Sequence, residues 1–277
     1  MPSPFSRDHL ECLKHIKTIN SYDGIPIEVF KLETTSDETI LKAWAKHFRN
    51  HYCLDSDIDD IKDGTGKTRK EYLNDFKFPS KTVRPGPATR SGDFGEILIS
   101  DYLEFCLNYW VPRTRFADRE NKNSPTQGLD VLGLKIIDMG ANSPDDELLI
   151  YEVKAKLTSN SRHESKDRLN IAIADSAKDF ERRKGESLNA FKQWYRVRSM
   201  TTEVNKIKRF QNPTDNPYKE LSGAAALILS SSINDADIKE VDASAHPNSG
   251  NLQLIIISGN NLMDLVHSLY ERAANDA

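Results

Sequence analysis

Apolar positions along this chain recur at two spacings, and the switches between them mark the elements. Residues 25–33, IPIEVFKLE, read as a strand. In the following TSDETILKAWAKHFRNHY, Ile40, Leu41, Trp44, Ala45 and Phe48 fall at helical spacing, with Thr35 or Ser36 as the cap. A shorter helical pattern covers 68–77. The stretch SKTVRPGPATRSG then has two prolines, two glycines and no apolar period. It predicts a boundary between a smaller N-terminal α/β region, residues 1–80, and a second unit, residues 90–277.

The second unit opens on DFGEILISDYLEFCLNYW, where Phe94, Ile97, Leu98, Tyr102 and Phe105 predict a buried helix. VPRTRF suits a short strand. GLDVLGLKIID (128–138) and LLIYEVKAKL (148–157) form the arms of an antiparallel hairpin around MGANSPDDE. Two amphipathic helical patterns, 165–184 and 186–210, meet at Gly185. Strands at GAAALILSSS and NLQLIIISG and a closing helix at NNLMDLVHSLYERAA complete the chain. Helix, strands, helices, strands, helix is the order of a mixed α/β, or α+β, domain around a central mixed sheet flanked by helices.

The hairpin carries the candidate chemistry. Leu149, Tyr151, Val153, Ala155 and Leu157 share one apolar strand face, whereas Leu148, Ile150, Glu152, Lys154 and Lys156 begin apolar and turn charged. In isolation, a strand end reaching water is the better explanation of that stripe. Asp130, however, stands at the mouth of the face made by Leu132, Leu134 and Ile136. A symmetric hairpin sets Asp130 opposite Lys156, and shifts of two or four set it opposite Lys154 or Glu152. Every even register leaves Asp130, Glu152 and Lys154 on one face, and a slip of one separates them. Two carboxylates and an ammonium beside an apolar core suit metal-assisted phosphodiester hydrolysis. Asp130 and Glu152 would hold Mg²⁺ or Mn²⁺, with the backbone carbonyl of Val153 as a further candidate ligand. Lys154 would orient the attacking water or stabilise charge growing in the transition state.

Composition changes the picture only in part. The chain has 277 residues, 38% hydrophobic and 29% charged, which suits a globular protein and excludes a wholly disordered one. No apolar run approaches the ~20 residues of a membrane span, so a soluble, cytoplasmic protein is expected. Cys12, Cys53 and Cys106 are widely separated, as expected of buried free thiols. The net charge of −4 does not announce a polyanionic partner, but residues 162–210 hold 13 Lys or Arg against 7 Asp or Glu. There Lys192, Arg196, Arg198, Lys206, Lys208 and Arg209 interleave with Phe191, Trp194 and Tyr195. The pattern fits phosphate contact and base stacking as well as it fits a solvated face.

In helix and strand order, and in GLD and EVK with Asp130 and Glu152 22 positions apart, the chain resembles the PD-(D/E)xK nuclease superfamily, although Leu129 replaces the nominal proline. SGDFGEILISDYLEF, YWVPRTRF, GLDVLGLKI and YEVKAKL more closely resemble HamA, the nuclease-subunit family of the Hachiman anti-phage system. That resemblance covers roughly residues 90–275. It implies a restriction-endonuclease-like core, metal-dependent DNA cleavage and a helicase partner. It also makes Glu96 a candidate support for the metal, although Asp93 and Glu96 have the spacing of a helix-start capping pair. The rival class is a non-catalytic nucleic-acid- or partner-binding module reusing the same fold.

Three other motifs do not qualify. GTGKT (64–68) resembles the end of a phosphate-binding loop, but Ile61 stands where that loop needs glycine. His47 and His51, with Cys53 nearby, lack the zinc-protease pattern and read as ordinary helix residues. No Gly-x-Ser-x-Gly elbow occurs.

Overall fold

The computed structural model describes residues 4–126, 128–158 and 163–277. Strands β1 (Leu13–Asn20), β2 (Pro26–Leu32), β3 (Val131–Lys135), β4 (Glu147–Lys156), β5 (Lys219–Leu229) and β6 (Leu252–Gly259) form one sheet in the order β1-β2-β6-β5-β4-β3. The outer pairs β1/β2 and β3/β4 are antiparallel, and β2, β6, β5 and β4 run parallel. Helices described are α1 (Glu38–Asn50), the short α2 (Ile58–Lys62) and α3 (Arg69–Tyr72), α4 (Gly86–Asp101), α5 (Glu164–Arg182), α6 (Lys184–Val197), α7 (Thr201–Lys208), the short α8 (Asp235–Ile238) and α9 (Leu262–Asn275). The fold is mixed α/β, as the element order predicts.

Both faces of the sheet are covered, which is why its parallel centre is almost continuously apolar. On one face Leu149, Tyr151, Val153, Leu227 and Ile257 pack against Trp44 and Phe48 of α1, Phe94 and Leu98 of α4, and Val266 and Tyr270 of α9. On the other, Ala224, Ala226, Ile228 and Ile256 meet Leu169 and Ile173 of α5. At the β3 edge Leu132, Leu134, Leu148 and Ile150 meet Leu188 and Tyr195 of α6 and Ile207 of α7. Gly95 faces Val153: a Cβ there would lie 3.1 Å from Val153 Cγ1, so the missing side chain lets α4 close on β4 and sets Glu96 beside the hairpin. No described helix is long and apolar enough to cross a membrane.

Several boundaries differ from the sequence pattern. The stretch expected to be a linker contains the first turns of α4, which starts at Gly86 rather than near residue 93. Pro87 stands in the first turn, where its missing N–H costs no helical hydrogen bond. The N-terminal strands join the same sheet as the rest, through β2 against β6, and α1 packs on α9. The pattern over 186–210 is broken between α6 and α7 at Ser199, whose φ of 57° is left-handed. Gly185 lies inside α6, two residues past the actual break at Arg183. VPRTRF forms no strand; a single bridge joins Trp110 to Leu134. Cys12 and Cys53 are buried, but Cys106 is exposed.

Candidate functional site

The β3/β4 ladder pairs Val131 with Tyr151 and Leu132 with Ile150, so Asp130, one residue before β3, falls opposite Glu152. This is the register shifted by four. The Asp130 Oδ2 accepts the Val153 N–H at 3.0 Å. In an extended strand the N–H and C=O of one residue point to the same side, so the Val153 carbonyl is directed toward the edge where Asp130 sits.

Glu152 is 4% exposed. Lys154 Nζ donates to Glu152 Oε1 at 2.6 Å and lies 2.8 Å from Asp175 Oδ2 on α5. Two residues along the strand, Lys156 meets the buried Glu164 of α5 at 2.6 Å, and Arg168 meets the other oxygen of that carboxylate. The charged stripe of β4 therefore faces α5 acids and not open water.

The remaining wall comes from the segment after residue 110. Arg113, Arg115 and Arg119 project from it onto α4, in antiparallel order. Arg113 binds Asp101 at 2.6 Å, Arg115 binds Glu96 at 2.5 Å, and Arg119 binds Asp93 at 2.6 Å. Arg115 also reaches Asp130 Oδ1 at 2.9 Å and the Leu129 carbonyl. One guanidinium thus bridges Glu96 and Asp130.

Burial dominates the electrostatics. It pushes the Asp130 carboxyl up to about 7, helped by Glu152 and resisted by Arg115 and the Val153 N–H. Glu96 is raised well above the usual carboxylate range, again by burial, against the pull of Arg115. At Lys154 burial is outweighed: it would lower the ammonium, but hydrogen bonds to Asp175 and Glu152 raise it above an ordinary lysine. Lys154 is therefore a fixed cation rather than a proton acceptor. Buried carboxylate oxygens are hard donors of the kind that suit Mg²⁺ or Mn²⁺.

A second cluster has metal-type donors. His9, His47 and Asp101, all buried, each bring one ligand atom within 4.8 Å of the others. Its hydrogen bonds argue for a different role. The Ser6 N–H donates to His47 Nδ1 at 3.1 Å, which places the ring proton on Nε2, where it donates to Asp101 at 2.9 Å. Arg113 Nη1 binds Asp101 Oδ1 at 2.6 Å and His51 Nε2 at 2.8 Å. With His9, His47 and Arg113 all donating to Asp101, the cluster is a hydrogen-bonded brace between α1 and α4.

The six basic residues singled out in the sequence do not share one environment. Arg196 and Lys208 are exposed. Lys192 donates to Gln211 at 2.7 Å, and Lys206 lies 4.8 Å from the centre of the Trp110 ring. Arg198 stacks 3.8 Å from the Trp194 ring centre and reaches Asp118 at 3.3 Å. Arg209 is turned inward, holding the Asp146 carboxylate and the carbonyls of Asp138 and Ala141. It clasps the loop between β3 and β4.

Arg115, Asp175 and Glu164 carry no signal in the sequence that marks them as part of a site. The Arg-x-Arg spacing in VPRTRF is visible, but its partners lie on a helix that precedes it, and no local pattern joins the two.

These features define a mixed α/β protein with a buried carboxylate–lysine site at the end of a strand pair. The chain belongs to the HamA family, whose model matches residues 7–273, and it is thereby a Hachiman defence protein. The match takes in the N-terminal strands as well as the hairpin. A comparison with curated proteins gave no match.

Proposed function

We propose that this chain is the metal-dependent nuclease effector of its defence system, hydrolysing DNA phosphodiester bonds under the control of a helicase partner. The observation that carries the reading is the placement of Asp130 opposite Glu152, with Lys154 beside them, at a buried strand end. This constellation and the surrounding helix–strand order support a PD-(D/E)xK site; membership in the HamA family supports the defence role. Asp130, Glu152 and the Val153 carbonyl would hold Mg²⁺ or Mn²⁺, with Glu96 as a further carboxylate behind Arg115. When bound, the ion supplies Lewis acidity toward the phosphate and acidifies a coordinated water. Lys154, kept protonated and steered by Asp175, contributes a fixed positive charge where negative charge grows on the phosphate oxygens. A binding module alone has no chemical need for all three residues.

The test is incubation of purified protein, alone and with the helicase partner, with plasmid and linear DNA in EDTA, Mg²⁺ or Mn²⁺. Cleavage is expected with either metal and not in EDTA. Intact DNA in every lane, partner included, would leave the non-catalytic module as the better reading.

The environments of the basic residues divide them into two groups. Replacing the exposed Arg196 and Lys208 by glutamine should weaken DNA binding and flatten its salt dependence, by roughly 0.9 in the log–log slope for each phosphate that is no longer neutralised. Arg209→Gln should instead lower the melting temperature by unclasping the loop at Asp146. An unchanged salt slope in the double variant would assign α6 and α7 to another surface role.

A further inference from the structure

The guanidinium of Arg115 lies inside the acidic site, with a side chain only 11% exposed. Its Nε donates to Glu96 Oε2 at 2.5 Å and its Nη2 to Asp130 Oδ1 at 2.9 Å, so one planar cation spans carboxylates from two separate elements. Main-chain carbonyls of Leu129 and Thr126 receive its other N–H groups. Arg113 and Arg119 grip α4 through Asp101, Glu104 and Asp93, anchoring the segment on both sides of Arg115.

Both oxygens of Asp130 are thus engaged, Oδ1 by Arg115 and Oδ2 by the Val153 N–H. Each oxygen keeps a second lone pair, but a divalent ion held by Asp130 has to share an oxygen with one of those donors or replace it. The Val153 bond is made by the backbone of a central strand and cannot swing away, whereas the Arg115 bond is made by the end of a flexible side chain. Two cations on one carboxylate in a low-dielectric site also repel strongly. Building on the nuclease reading above, we propose that Arg115 is a positioning residue that competes with the metal for Asp130. Metal entry displaces the guanidinium from Asp130, and the bond to Glu96 keeps the arm tethered. The arginine therefore sets how much Mg²⁺ the site needs.

The test is calorimetric titration of Mg²⁺ and Mn²⁺ into EDTA-stripped parent protein, Arg115→Gln and Glu152→Gln. Arg115→Gln is expected to bind metal at least about tenfold more tightly than the parent, because a competing charge is removed. Glu152→Gln is expected to lose the binding. If Arg115→Gln does not fold, nitrogen NMR of the parent replaces it. Rotation about the Arg115 Cζ–Nε bond, slow while both Nη groups are held, should accelerate at saturating Mg²⁺. Equal or weaker metal binding by a folded Arg115→Gln, or Arg115 signals unmoved while Mg²⁺ binds, would overturn the competition and leave the nuclease reading standing. Metal binding that survives in Glu152→Gln places the ion elsewhere and also overturns it. Absence of metal binding in both parent and Arg115→Gln would remove the metal-dependent reading and this inference together.

Discussion

Glu152→Gln is expected to reduce DNA cleavage by at least about 10²-fold, since loss of residues that merely support metal ligands already costs 10–100-fold, while the protein stays folded. The two halves of that expectation have separate causes. Glutamine keeps the shape of Glu152 and an oxygen that can accept the Lys154 ammonium, now 2.6 Å from Oε1. Lys154 also retains Asp175 at 2.8 Å. The lost ion pair is offset by relief at Asp130, whose carboxyl is pushed up to about 7 by burial and then by the charge of Glu152. The melting temperature in EDTA should therefore move by no more than a few degrees. The rise in melting temperature produced by Mg²⁺ or Mn²⁺ should largely vanish, because that rise is binding to the native state. Cleavage retained within threefold, with an unchanged metal response, would take Glu152 out of the site and return the β4 stripe to a purely structural role against α5.

How much of this is legible in the sequence follows from the range over which each signal acts. The alternation in residues 148–157 and in Asp130, Leu132, Leu134 and Ile136 fixes which side chains share a face, because pleating obliges it. It places Asp130, Glu152 and Lys154 together. The register needs information the alternation lacks. β3 ends at Lys135 and β4 begins at Glu147, so the loop is longer and less symmetric than its sequence suggests. Asp146 holds that loop by accepting the Ile137 N–H and pairing with Arg209, a residue far along the chain. β1 escapes notice for the opposite reason. As an edge strand, with Lys14, His15, Ile16 and Thr18 exposed, it shows no apolar stripe to read. The arginines of VPRTRF show as isolated charges in sequence; only the antiparallel run of Asp93, Glu96 and Asp101 along α4 gives them partners. His47 and His51 are recognisable as helix neighbours, but His9 and Asp101, which complete their cluster, come from two other elements.

That cluster makes the largest stability prediction. Asp101 is fully buried and accepts from His9 at 2.8 Å, His47 at 2.9 Å and Arg113 at 2.6 Å. Burial alone would raise its carboxyl, yet His47, Arg113 and His9 together hold it well below the carboxylate range. Asp101→Asn leaves the Arg113 charge with Glu104 as its one remaining carboxylate partner and turns one acceptor oxygen of the buried cluster into a donor facing donors. A loss of about 3–5 kcal/mol is expected, which is on the order of 10 °C in melting temperature for a chain of this size. The same cluster dictates acid lability. Burial lowers His47 and takes His51 well below an ordinary histidine, with the Arg113 charge adding to the effect at His51. Bases depressed in the folded state bind protons first in the unfolded chain, so stability should fall as pH drops below about 6.5. Each such histidine contributes at most about 1.4 kcal/mol per pH unit. The Asp101 contribution has a separate window: it is complete above about 4, the unfolded carboxylate value, and is lost only as pH falls toward its depressed folded value. His246 and His267 are lowered by burial as well and add to the histidine slope. The diagnostic is therefore a difference: His51→Gln, whose amide oxygen can still accept from Arg113, should take up one proton fewer on unfolding between pH 7 and 5 than the parent. Denaturant unfolding of both proteins across that range measures it. Equal slopes would mean that His51 is protonated in the folded protein, and the brace between α1 and α4 would then have to be redrawn around a charged histidine facing Arg113.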